Sequence, residues 1–207
     1  MVSHAAARPV SVPPSPHRWR GVCALAGAGV LLLLAMPAAA TLPDRALDAG
    51  RSQIGFTLRT RWGQLLEGRF ADWTGLIRTL PDGAHQVRLT LDAASVEIDG
   101  NRSYTRITRG PGFFDVERYP EVVFVSDPYP TALLRDGGEL TGVLSIRGVR
   151  QRESFRIQPA ACDRPALDCD VVGQGDIRRS RYAMDRWGYA LSDQVRFTLR
   201  IRAVDPN

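Results

Sequence analysis

The sequence predicts an all-β domain, and two observations carry that expectation. The first is a period-2 alternation that recurs along the chain. It is clearest where Val195, Phe197, Leu199, Ile201 and Ala203 alternate with Arg196, Thr198, Arg200 and Arg202, which gives a strand one dry face and one charged face. The second is turn chemistry at regular intervals, at Pro81-Asp82-Gly83, Asp99-Gly100-Asn101, Asp136-Gly137-Gly138 and Arg147-Gly148, where glycine and Asx residues reverse the chain at low steric cost. Many short strands with one apolar face each must bury those faces against one another, in a sandwich or a closed barrel.

The strands follow in order. Ile54, Phe56 and Leu58 alternate with Gly55, Thr57 and Arg59, and Val87, Leu89 and Leu91 with Arg88, Thr90 and Asp92. Further strands are expected at Leu65 to Phe70, Thr74 to Leu80, Val122 to Ser126, Thr131 to Arg135, Glu139 to Ile146, Glu153 to Pro159 and Asp170 to Ile177. Two stretches escape the pattern, Asn101 to Pro120 and Arg178 to Asp193. The first has room for one or two short helices, around Arg102 to Thr108 and Gly112 to Val116. Both stretches are expected at a rim, where loops admit or cover a ligand.

Residues 1–40 read as a cleavable secretory signal. A basic leader carrying Arg8, His17, Arg18 and Arg20 precedes the apolar run Val22 to Met36. That run is shorter than the roughly 18 residues of a spanning helix. Pro37-Ala38-Ala39-Ala40 ends it with the small residues that a signal peptidase accepts, so cleavage is expected between Ala40 and Thr41. Residues 41–207 then form one domain in the periplasm or outside the cell. The 27 basic residues are all Arg. Removing the leader takes away three of them and no acid, which lowers the net charge from +5 to +2. The high pI of the whole chain is therefore no argument for nucleic acid as a partner. Cys162 and Cys169 remain, and an even count in an oxidising compartment favours a disulfide between them.

Two blocks then carry a family resemblance. The run Gly112-Phe113-Phe114-Asp115-Val116-Glu117-Arg118-Tyr119-Pro120, followed by Val123 to Ser126, resembles the signature of the YceI family of lipid-binding proteins. So does Leu140-Thr141-Gly142-Val143-Leu144-Ser145-Ile146-Arg147-Gly148-Val149. The segments Leu47 to Phe56, Gly68 to Gly75 and Leu91 to Val96 fit as well. The resemblance implies an extended antiparallel, lipocalin-like β-barrel around a long isoprenoid, such as an isoprenoid quinone or a polyprenyl phosphate, with no catalytic residues and no further cofactor. Ile107-Thr108 stands where the family usually has His-Leu. Arg150-Gln151-Arg152 replaces a Thr-basic-Pro turn, and the loop with both cysteines is a local addition.

The inward positions of such a barrel are Ile54, Phe56, Leu58, Val87, Leu89, Leu144, Val195, Phe197 and Leu199, with Phe113 and Phe114 at the mouth. If their segment were extended, only one of that pair would point inward. Arg106, Arg109, Arg178, Arg179 and Arg181 lie in the irregular stretches and read as ordinary solvated residues rather than as a head-group site. An enzyme has little to work with, since His85 is the one histidine after the leader and no nucleophile elbow, metal-ligand cluster or nucleotide-binding loop is present. The expected protein is an exported lipid carrier, monomeric or homodimeric, served by a membrane-bound donor or acceptor. The alternative is a solid-core barrel acting as an interaction or stress-response module through the face of Arg196, Arg200 and Arg202.

Overall fold

The computed structural model describes residues 44–205, so the expected signal and its cleavage point at Ala40 and Thr41 lie outside the described residues. Eleven antiparallel segments make one sheet. They are β1 (Arg45–Ala46), β2 (Gln53–Thr60), β3 (Leu65–Phe70), β4 (Trp73–Thr79), β5 (His85–Asp92), β6 (Val96–Ile98), β7 (Glu121–Ser126), β8 (Gly138–Ile146), β9 (Val149–Ile157), β10 (Val171–Arg178) and β11 (Leu191–Ile201). Their order across the sheet is β1-β4-β5-β7-β8-β9-β10-β11-β2-β3-β6. Two helices, α1 (Arg102–Arg109) and α2 (Ala132–Asp136), complete the fold.

Three pairs of segments are single strands with a kink. β3 runs into β4 through Ala71-Asp72, and β5 into β6 through the 3-10 turn Ala93–Ser95. The bonds Asp92 N to Asp72 O (3.0 Å) and Ala71 N to Ser95 O (3.3 Å) carry the ladder across both kinks. β1 runs into β2 through the turn Ala49–Arg51. There Leu47 N donates to Gly75 O (2.8 Å) and Asp48 N to Arg202 O (2.9 Å), so β1 joins β4 to the end of β11. Merged in this way the segments are eight strands, and the β11·β2 and β2·β3 ladders close them into a barrel. Closure removes the edges that would otherwise pair with other chains.

The kinks keep the dry face inward. Phe70 and Trp73 are both buried with two exposed residues between them, and on the neighbouring strand Ala93 and Val96 are buried about a matching break. Each strand changes phase by one residue at the same level, as a bulge does. A slip in only one would turn its apolar set to water. Gly68 provides space beneath the upper kink: a Cβ there would stand 2.9 Å from Glu97 O and would overlap the Phe56 ring.

Most of the expected strands form within a residue or two of their expected bounds. Thr131 to Arg135 does not, because the chain turns into α2 after Thr131. Two adjacent leucines, Leu133 and Leu134, break the alternation, and both pack against the core, which a strand cannot do with neighbouring side chains. Gly112 to Val116 is a chain of tight turns rather than a helix. Phe113 N and Asp115 N both donate to Gly110 O at 3.0 Å, and Asp115 has φ 51°, outside the helical region. The short strands β1 and β6 were not expected, since two or three residues carry too little alternation to be read.

The disulfide Cys162–Cys169 closes a loop between β9 and β10. Inside it Arg164 and Asp168 form a two-bond pair at 2.9 and 2.7 Å. Ala166 is buried and accepts from Ala203 N at 2.8 Å, which tucks the loop against the lower end of the barrel. Replacing both cysteines by Ala is expected to lower the stability to urea by about 2.5 kcal/mol, the loop-closure value for so short a ring. The upper half of the barrel should keep its protection in hydrogen exchange.

Candidate functional site

The alternating strands leave an apolar interior in two chambers. The upper one encloses about 310 Å³, at the lower end of the range for small-molecule sites. Phe56 and Leu58 of β2 and Val195 and Phe197 of β11 wall it, and Phe113 and Phe114 close one side. The lower chamber holds about 90 Å³ and is walled by Ile54, Val87, Leu89, Leu144 and Leu199, again with Phe197. All eleven interior positions read from the sequence thus face one chamber or the other. Phe113 and Phe114 both face inward, contrary to the expectation for an extended segment, because the chain there is a turn.

Phe197 separates the chambers. Its ring packs 5.8 Å from Phe56, which lies 5.9 Å from Phe70, and Phe70 meets Phe114 edge-on at 5.6 Å. This ladder of rings spans the barrel at mid-height, with the offset contacts that aromatic pairs favour. Below it Phe124 and Phe155 pack edge-on at 5.0 Å. At the upper end the chamber is bordered by Trp62 in the β2–β3 turn, Tyr104, Ile107 and Thr108 on α1, and Met184, Trp187 and Tyr189 in the loop before β11. Of these, the sequence reading singled out Ile107 and Thr108, only as departures from the family pattern. Tyr104, Ile107 and Thr108 fall on one helix face at i, i+3 and i+4, a signal too short to stand out in an eight-residue helix.

Arg179 is the one charged residue lining the upper chamber among the described residues. It was expected on the solvated surface, but it is 3 % exposed. Its Nε donates to Ser192 O (3.0 Å) and its Nη1 to Met184 O (2.5 Å) and Arg186 O (3.2 Å). The guanidinium stands 5.6 Å from the Phe113 ring centroid, and burial lowers its pKa. One planar fork thus holds the rim loop 184–192 to the barrel. Asp193 fixes the neighbouring turn by accepting from Ser180 N and Oγ, both at 2.8 Å.

The other arginines of the irregular stretches divide. Arg106 and Arg178 are exposed, as expected. Arg109 donates from Nε to Val96 O at 3.0 Å. Arg181 donates to Glu153 Oε1 (2.9 Å) and Gln151 Oε1 (3.0 Å). Tyr182, fully buried, donates to the same Glu153 oxygen at 2.8 Å, and burial pushes its hydroxyl pKa up. Gln151 therefore serves a purpose in the departure at 150–152, since it ties β9 to the 179–182 turn. The face of Arg196, Arg200 and Arg202 meets two carboxylates: Arg196 pairs with Asp176 of β10 through two bonds (2.9 and 3.0 Å), and Asp170, just before β10, accepts from Arg202 (2.5 Å) and lies 3.8 Å from Arg200.

The sequence pattern of the YceI-like domain matches residues 46–203. The fold is similar to that of Burkholderia cenocepacia BcnA, at TM-score 0.62 and 20 % identity, over 77 % of this chain and 99 % of that one. It is also similar to a polyisoprenoid binding domain from Saccharophagus degradans implicated in plant cell wall breakdown, at TM-score 0.58 and 18 % identity, over 78 % and 98 % of the two chains. A Campylobacter jejuni YCEI protein gives TM-score 0.50 at 22 % identity, over 67 % and 84 %. The search of curated proteins gives no match.

Two outcomes follow from the site. Arg179→Met, which keeps the length of the side chain but removes the fork, is expected to cost about 2–4 kcal/mol by urea denaturation and to raise hydrogen exchange in residues 184–192. Burial pushes the Tyr129 hydroxyl up to about 12. The folded state therefore keeps a proton that the unfolded chain releases near pH 10, and stability falls as pH rises from about 10 to about 12. The chain has no lysine to titrate there. Tyr129→Phe is expected to raise the pH of alkaline unfolding, followed by circular dichroism, with Tyr182 accounting for the remainder.

Proposed function

The chain belongs to the YceI-like domain family, and on that premise we propose that it is an exported carrier that holds an isoprenoid chain inside the barrel. The observation that carries this reading is the upper chamber: about 310 Å³ with an apolar wall, open at one end and prolonged below Phe197 by a second apolar chamber. An isoprenoid is hydrocarbon over most of its length. Burying it removes apolar area from water on ligand and wall alike, at roughly 25 cal/mol per Å². The Saccharophagus degradans domain, described as polyisoprenoid binding, supports the same ligand class. An isoprenoid quinone suits the site better than a polyprenyl phosphate, because Arg179, the cation of the wall, already donates to three carbonyls.

The reading is a binding function rather than catalysis. His85, the histidine of the domain, sits between Thr79 Oγ1 (3.2 Å) on β4 and Thr131 Oγ1 (2.9 Å) just before α2, and it does not line the upper chamber. The alternative, a solid-core module acting through its arginine face, loses support from the chambers and from the pairing of Arg196 and Arg202 with aspartates. Export to the periplasm, cleavage before Thr41 and exchange with a membrane-bound donor or acceptor complete the proposal. A monomer is sufficient for all of it.

The test is mass spectrometry of the organic extract of protein purified from the periplasm, with the intact mass reporting a chain that starts at Thr41. An isoprenoid in stoichiometric amount is expected. Its absence, together with no saturable quenching of the tryptophans when delipidated protein is titrated with an isoprenoid quinone, would sink the carrier reading. Phe197→Ala joins the two chambers. It is expected to destabilise the fold by about 3–5 kcal/mol and to shift the preference of the titration toward longer isoprenoid chains.

A further inference from the structure

Among the described residues, eight large apolar or aromatic side chains are exposed, and five of them border the upper chamber. They are Trp62 (79 % exposed), Tyr189 (74 %), Ile107 (42 %), Trp187 (41 %) and Tyr104 (37 %). Single exposed hydrophobes are ordinary, but a cluster at one end of a molecule marks an interaction surface. This cluster holds two tryptophans and two tyrosines, whose rings have an apolar body and a polar edge. Such side chains concentrate where hydrocarbon meets water at a membrane face.

The backbone holds these side chains outward. Arg61 N donates to Ala190 O (2.8 Å), and the Arg61 guanidinium donates to Gly188 O through Nε (3.2 Å) and Nη2 (3.0 Å). The turn with Trp62 and the loop with Trp187 and Tyr189 are therefore one unit, and the Trp187 and Tyr189 rings pack 5.7 Å apart. Ala190 N and Leu191 N both bond to Trp187 O at 2.8 Å. Charge points the same way. The three segments that carry the cluster, 61–64, 101–109 and 185–190, expose Arg61, Arg102, Arg106 and Arg186 against Asp185, while Glu67 and Asp99 lie exposed beside Tyr104, Asp99 paired with Arg69. Exposed arginines on the same segments as aromatic side chains complement a surface of anionic head groups.

We propose that this end of the barrel docks on an anionic lipid bilayer, with the aromatic side chains in the head-group layer and the chamber mouth facing the hydrocarbon. The proposal rests on the carrier reading for its purpose: a lipid could then pass between bilayer and chamber without crossing water. The docking itself is measured separately from the cargo.

The experiment floats the purified protein with vesicles of phosphatidylglycerol and phosphatidylethanolamine, and with vesicles of phosphatidylcholine alone. Flotation with the anionic vesicles is expected, weakening as salt rises and accompanied by quenching of Trp62 and Trp187 by brominated acyl chains. Arg102→Glu/Arg106→Glu, on the face of α1 turned away from the chamber, is expected to weaken flotation about tenfold or more, since each basic residue near such a surface counts, while quinone titration in solution stays as in the parent. Trp62→Ala is expected to weaken flotation several-fold at both low and high salt. No flotation of the parent protein, or equal flotation of parent and variants, overturns the docking. So does binding to native membranes that disappears when their proteins are digested, which would assign the rim to a protein partner. Flotation without saturable quinone binding would overturn the carrier reading and leave the docking standing.

Discussion

The structure depends on one constraint: alternation of side chains between wall and interior must survive the kinks that let the strands bend around the barrel. It survives because the breaks are matched. Phe70 and Trp73 on one strand, and Ala93 and Val96 on its neighbour, each return to the interior after a change of phase, and the bonds between Asp72 and Asp92 and between Ala71 and Ser95 keep the ladder whole. A mismatch would place arginines in the interior and phenylalanines in water. Every wall residue of the two chambers inherits its direction from this agreement.

A second requirement is that the barrel be blocked in the right places. The loop of Cys162 and Cys169 lies at the lower end, where its Ala166 lines the lower chamber. The middle is crossed by the rings of Phe56, Phe70, Phe114 and Phe197. The upper end is left open, but its loops are not loose. Arg179 gathers three carbonyls of the rim, Arg61 joins two rim segments, and Glu153 accepts from both Arg181 and Tyr182. Arg147 links the turn of Phe113 to the rim as well, since it donates to Ala183 O and lies 3.9 Å from Asp115. Arginines therefore do at the mouth what a sheet ladder does elsewhere. Each guanidinium can serve several carbonyls in one plane.

Charge on the outer wall has a different character. The regular face of Arg196, Arg200 and Arg202 is partly offset by Asp176 on the adjoining strand and Asp170 just before it, so its pattern along the sequence overstates the field it presents. At the rim the balance is reversed, and arginines outnumber carboxylates among the exposed residues of the three mouth segments. A strand sees its partner's charges across the ladder, and sequence order does not show which strand that partner is.

The interior was legible in the sequence because period-2 alternation is a local property: Ile54 to Leu58, Val87 to Leu91 and Val195 to Leu199 each announce their inward face without reference to a neighbour. The family resemblance extended this to a barrel. What the sequence left open was set by contacts that alternation does not encode. Thr131 to Arg135 became a helix because Leu133 and Leu134 both pack on the core. Phe113 and Phe114 face inward together because Gly110 accepts from two backbone amides and bends the chain. Arg179 left the surface because three carbonyls of residues 184–192 surround it. The sequence by itself determined which side chains avoid water, since that is written in their spacing. Only the tertiary structure decided where they leave space, because a chamber is the gap between chains that the spacing does not describe.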